Sequence, residues 1–134
     1  MCIGLIIKSL IDVILKNKKI VIVSHVNPDG DALGSSLALY FFAKKLGADP
    51  KVIIPNDYPG FLAWMPGIQD VIIYDKNVEA AKRIMGEAEL FCFLDFNLIF
   101  FNLVFVNSKF QGIVCFNFPA SEIYQIIFFK EFAG

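Results

Sequence analysis

The sequence predicts an α/β fold, a mostly parallel sheet with helices on both faces. Three observations carry this. Short, continuous β-branched runs have the character of strands buried on both faces. Stretches with helical spacing of apolar residues alternate with them, the order expected of parallel strands joined by crossover helices. Glycine and proline punctuate the joins, and right-handed crossovers then bring the strand ends to one common edge.

Taken in order, Leu5 to Lys16 places Leu5, Ile6, Leu10, Ile11, Ile14 and Leu15 on one helical stripe. Lys19 to Val26 (KIVIVSHV) is a buried-strand run. The loop Asn27 to Asp31 leads into a helix through Leu46, which Gly47 ends as a C′ glycine. Lys51 to Ile54 is a second strand stopped by Pro55, and Val71 to Tyr74 a third. Val78 to Met85 reads as a short helix closed by Gly86, and Leu90 to Phe96 as a fourth strand.

Composition bounds the function. The 134 residues are 57% apolar and 19% charged, with a mean hydropathy of +0.62, which excludes intrinsic disorder. A formal charge of −1 excludes a large basic surface for nucleic acid. Cys2, Cys92 and Cys115 form no CxxC pair, so a reduced, cytoplasmic setting is expected. The first residues, MCIGLIIKSLID, lack a charged start and make a poor signal peptide. No membrane span is expected, because Asp95, Asn97 and Asn102 interrupt the apolar run Leu90 to Val106.

The character of the chain changes after Asn97. Positions 1–97 hold 21 charged residues, positions 98–134 only 4, and nine of the 15 phenylalanines fall in that second stretch. We therefore expect 1–97 to be one unit and 98–134 an apolar tail of different origin. The tail is strand-like in composition but lacks a sustained period, and its LVFV and IIFF windows are prone to aggregation if exposed.

The informative stretch is Ser24 to Ser36, SHVNPDGDALGSS. His25 lies near the end of the first strand, with Asp29 and Asp31 following within six residues. An imidazole and two carboxylates held this closely repel or desolvate one another unless a cation compensates them. One nitrogen with several oxygens suits Mn²⁺ or Mg²⁺ better than Zn²⁺. Asp95, at the end of the fourth strand, is expected at the same sheet edge. Gly34-Ser35-Ser36 is expected to open the helix, with Gly34 and Ser35 offering amides and close backbone approach to a phosphate. Taken singly, the same residues have plainer readings: Asp31 as a helix N-cap, Asp29-Gly30 as a turn, Asp95 as a strand terminator. Tyr58, Phe61, Trp64 and Met65 cluster in one loop, either as a lid or base-stacking surface or as a hydrophobic plug over the sheet, and the plug is the favoured expectation.

HVNPDGDALGSS, followed downstream by a strand ending LDFN, resembles the DHH phosphoesterase superfamily, and within it the NrnA-like bifunctional oligoribonucleases and PAP phosphatases. The resemblance covers Lys18 to Asn97, including KVIIPNDYPGFLAWMPG. It implies that His25, Asp29 and Asp31 ligate manganese, that Asp95 bridges two ions, and that the substrates are short RNA oligonucleotides or 3′-phosphoadenosine 5′-phosphate. No catalytic residue beyond these ligands is assigned. His25 is the only histidine and no aspartate follows Asp95, so the Asp-His-His motif and the later substrate-binding domain have no counterpart here. The expectation is an incomplete, truncated phosphoesterase domain holding one ion rather than two. Its alternatives are an inactive fragment, or a nucleotide- or metal-binding module without turnover.

Overall fold

The computed structural model describes the backbone of residues 3–94 and 112–116 and the side chains of residues 8 and 10–94. Along them run α1 (Ile3–Lys16), β1 (Lys19–Val23), α2 (Gly30–Lys45), β2 (Asp49–Ile54), β3 (Ile72–Ile73), α3 (Val78–Glu87), β4 (Leu90–Leu94) and β5 (Gly112–Phe116). Short 3-10 turns lie at Gly60–Leu62, Ile68–Asp70 and Tyr74–Lys76. The strands form one parallel sheet in the order β3-β2-β1-β4-β5.

Alternation along each strand sorts the core into two layers. Ile20, Ile22, Val52, Ile54, Leu90, Cys92 and Leu94 face one side, where Ile14 of α1 and Leu33, Leu37, Tyr40 and Ala43 of α2 cover them. Val21, Val23, Ile53, Phe91 and Phe93 face the other, covered by Ala81, Ile84 and Met85 of α3. Helices therefore lie on both faces, as expected for strands buried on both sides. The order reverses at β1, whose neighbours are β2 and β4. In open α/β sheets such a switch point leaves a crevice outside the carboxyl ends of the strands.

Several boundaries differ from the sequence expectation. Among the described side chains of α1, Ile14 is buried and Leu10 and Val13 pack partly buried against the core, while Leu15 is 58% exposed. Leu15 follows Ile14 by about 100° of helical arc, so turning Ile14 into the core carries Leu15 away from it. β2 begins at Asp49 and includes Pro50. Asp49 N donates to Lys18 O at 2.7 Å, so by alternation the nitrogen of Pro50 faces away from β1. β3 reaches only Ile53 and Ile54, so the missing donor falls on an open edge and costs no ladder bond. β3 itself is shorter than expected because Tyr74 enters a 3-10 turn.

Gly47 ends α2 as expected. It has φ of +89°, its amide donates to Lys44 O, and Ala48 N donates to Ala43 O, the two bonds of a Schellman motif. Gly86 does not end α3, which continues to Glu87, and Gly86 is not among the left-handed glycines. Within 98–134, β5 pairs in parallel with β4, from Leu90↔Gly112 to Leu94↔Phe116. The rest of that stretch, and the boundary placed at Asn97, lie outside the described residues. Among the described residues no helix is long and apolar enough to cross a membrane.

Candidate functional site

The parallel ladder sets β1 and β4 side by side, through Ile20↔Leu90 to Val23↔Phe93, so both run out at one edge. β1 ends three residues short of the expected Val26, and the chain turns there into the loop that carries His25 and Asp29 and leads to Asp31 in the first turn of α2. Ser24 is fully buried, and its Oγ donates to His25 O at 3.2 Å. Asn27 takes a left-handed φ of +54°, a conformation asparagine tolerates better than most residues. It forms a reciprocal pair with Asn56 just beyond β2. Asn27 N donates to Asn56 Oδ1 at 2.7 Å, and Asn56 Nδ2 donates to Asn27 Oδ1 at 2.6 Å. The buried Pro28 completes the turn.

The loop delivers its three chemical groups differently. His25 is half-buried, with Nδ1 2.7 Å from Val26 O. A carbonyl only accepts, so Nδ1 carries the proton, and in the neutral ring Nε2 holds the lone pair a metal needs. Asp29 is the N-cap of α2, its Oδ1 accepting from Ala32 N at 2.8 Å. The cap is thus Asp29 rather than Asp31. Asp31 is exposed in the first turn of α2. Both carboxylates stand at the positive end of the helix dipole, which stabilises them. An incoming phosphate would meet that same negative pair, so an anion fits here only with a cation between.

Among the described residues, no three His, Cys, Asp or Glu side chains come close enough together to hold a metal ion. The cap bond turns the Asp29 carboxylate toward Ala32, and Asp95 lies outside the described residues, directly after Leu94 in sequence. As a donor set, one imidazole nitrogen with exposed carboxylate oxygens fits the preference of Mn²⁺.

The expectation that Gly34 opens the helix is corrected. α2 starts at Gly30, because Asp29 supplies the cap four residues earlier. Gly34 and Ser35 therefore lie in the second turn, where backbone amides are consumed by the helical ladder. Ser35 Oγ donates to Asp31 O at 2.8 Å, and Ser36 is fully buried. By helix geometry the amides without an intrahelical acceptor belong to the first turn, at Gly30 and Asp31.

The aromatic loop after β2 divides. Leu62 is buried, and Tyr58 and Met65 pack against the core, as a plug should. Phe61 and Trp64 do not join it and are 76% and 75% exposed. The loop is also tied to the turn after β3, where Lys76 Nζ lies 2.7 Å from Asp57 Oδ2. That hydrogen bond holds the Asp57 carboxyl below its ordinary value and raises Lys76. A cleft of about 690 Å³ opens elsewhere, lined by Tyr40, Lys44, Lys51, Asp70 and Arg83 among others, and includes no residue of the His25 loop.

Sequence reasoning missed the Asn27–Asn56 pair. Its signal was present: two loops leaving neighbouring parallel strands must meet at one edge, and each carries an asparagine two to four residues after its strand.

The family model described as "DHH family, N-terminal domain" matches residues 19–100 of this chain. Over 71 residues the chain is 34% identical to a probable manganese-dependent inorganic pyrophosphatase of Streptococcus mutans, covering 50% of this chain and 23% of that protein. Over 47 residues it is 49% identical to the bifunctional oligoribonuclease and PAP phosphatase NrnA of Thermus thermophilus, covering 35% of this chain and 14% of that protein. The crystal structure of an exopolyphosphatase-related protein from Bacteroides fragilis superposes with a TM-score of 0.74 at 39% identity, covering 85% of this chain and 34% of that one. The chain thus spans about a third or less of the length of each protein it is similar to.

Proposed function

The chain belongs to the DHH family, matching its N-terminal domain over residues 19–100, and from that premise we propose that it carries a manganese-dependent phosphoesterase site for short oligoribonucleotides or 3′-phosphoadenosine 5′-phosphate. The observation that carries the reading is that His25 and the cap Asp29 lie on the loop between β1 and α2, with Asp31 in the first turn of α2, where β1 runs out beside β4. His25, Asp29, Asp31 and Asp95 would hold the ion. When bound, it would polarise a phosphoryl oxygen and lower the pKa of an attacking water.

The residues of the chain do the rest. The Val26 carbonyl keeps the His25 proton on Nδ1, and the Asn27–Asn56 pair fixes the loop against its neighbour. The first amides of α2, at Gly30 and Asp31, would add hydrogen-bond donors for an anion held there by the ion. Among the relatives, NrnA, named as an oligoribonuclease and PAP phosphatase, supports a nucleotide substrate, and the S. mutans pyrophosphatase, named as manganese-dependent, supports the metal. The test is release of mononucleotide from a short RNA as Mn²⁺ is added, with Asp31→Ala as control. Release that depends on Mn²⁺ and is lost in the variant is expected. No release at any Mn²⁺ concentration overturns turnover.

A second reading, metal and nucleotide binding without turnover, is favoured by one observation: His25 is the only histidine of this sequence. Calorimetry with Mn²⁺ separates the two. One weak site without hydrolysis supports binding alone, and two sites with hydrolysis support the enzyme.

A further inference from the structure

We propose that Phe61 and Trp64 form the platform on which a nucleobase stacks while its phosphate occupies the His25–Asp31 loop, so that this pair selects nucleotides over inorganic phosphates. The proposal rests on the reading of the site given above.

The geometry of one short segment carries it. Leu62 N donates to Pro59 O and Ala63 N to Gly60 O, at 2.9 and 3.1 Å, winding Gly60–Leu62 into a 3-10 turn, and Met65 N donates to Leu62 O at 3.1 Å in the turn that follows. Leu62 and Met65 are the inner pair of this segment, packed on the core, and Phe61 and Trp64 the outer pair.

The first pair is the anchor, and it is fastened to the end of α2 that bears the acidic loop. A Cβ placed on Gly30 would stand 3.8 Å from Leu62 Cδ2, and one placed on Gly34 would stand 3.6 Å from Met65 Cε. The second pair is turned out, with Phe61 76% and Trp64 75% exposed. Two exposed rings, each next in sequence to a side chain that lies against the first turns of α2, offer aromatic faces to a ligand held at that end of the helix. They stabilise no part of the described core. Every nucleobase has a π face to lay on such rings, and pyrophosphate and polyphosphate have none. The substrate class that this surface distinguishes is therefore the nucleotide.

Trp64 is the single tryptophan of the chain, so its emission reports on the platform directly. The full chain is titrated with AMP in the presence of Mn²⁺, and separately with inorganic pyrophosphate as the base-free control. Binding is followed in parallel by calorimetry. Saturable quenching of Trp64 by AMP, and none by pyrophosphate, is expected. Phe61→Leu and Trp64→Leu should each weaken AMP binding by about tenfold, within the range of stacking on one aromatic ring, and leave pyrophosphate binding unchanged. Both side chains are exposed, so these variants keep the fold, which circular dichroism checks.

AMP binding without any change in Trp64 emission, or with full affinity in both variants, overturns the platform and leaves the phosphate site standing. Emission already shielded from a soluble quencher before ligand is added also overturns it, because a second copy or another segment of the chain then covers the rings. Absence of binding by Mn²⁺, AMP and pyrophosphate alike overturns the reading of the site itself, and the platform falls with it.

Discussion

Asp29 serves two purposes whose energies can be separated. Its Oδ1 caps α2 through Ala32 N, and its charge is one of the proposed attractions for a cation. Asp29→Ala removes both and should lower stability by about 1 kcal/mol, the usual worth of an N-cap. Asp29→Asn keeps a capping oxygen and removes the charge. Its urea midpoint should stay close to that of the parent while the calorimetric signal for Mn²⁺ disappears. Equal Mn²⁺ binding in parent and Asp29→Asn would reduce Asp29 to a cap. At this scale residue type was legible: an imidazole and two carboxylates within one tight loop announce a charged site whatever the surrounding fold. The division of labour was not. Which aspartate caps depends on where the helix starts, and Asp29 and Asp31 are equally good caps in isolation.

Elements begin and end for reasons of unequal range. The C-terminus of α2 was readable because a Schellman motif is built from neighbours: Gly47 with a positive φ and two bonds back into the last turn. Gly67 shows the opposite case. It too is left-handed, at φ +83°, but a Cβ there would lie 2.8 Å from Phe41 Cζ and 3.3 Å from Leu37 Cδ2, both on α2. Gly67→Ala should cost about 1–3 kcal/mol, combining left-handed strain with a clash against a packed helix. Adding Phe41→Ala should relieve the clash and leave the backbone part. Thermal melts of the single and double variants measure the split. A double variant no more stable than Gly67→Ala would show that the clash contributes nothing. Only the meeting of this turn with α2 distinguishes Gly67 from an ordinary turn glycine, and residues in between give no local sign of it.

Across the whole molecule, stability is divided between the two faces of one sheet. Phe91 and Phe93 stack on the α3 side, with ring centroids 6.1 Å apart, and Leu33 lies fully buried on the α2 side. Phe91→Ala should cost about 3–5 kcal/mol, a large part of the roughly 5–15 kcal/mol that holds a domain together. Leu15→Ala, at a position the helical stripe would have placed inside, should change stability by less than about 0.5 kcal/mol because that side chain is exposed. Denaturant unfolding of the two variants checks the contrast, and a comparable loss from both would contradict the arrangement of α1.

The sequence by itself determined that this chain builds a parallel sheet covered on both sides, and that His25, Asp29 and Asp31 follow one another closely after its first strand. Both are local properties: side-chain periodicity and β-branching for the sheet, and order along the chain for the three polar residues. Tertiary structure decided which stripe of α1 is buried, which aspartate caps α2, that the loops after β1 and β2 are joined through Asn27 and Asn56, and that Phe61 and Trp64 face outward. Each of these depends on contacts between segments distant in sequence, where several local arrangements have similar energy and only the shape of the neighbouring element selects among them.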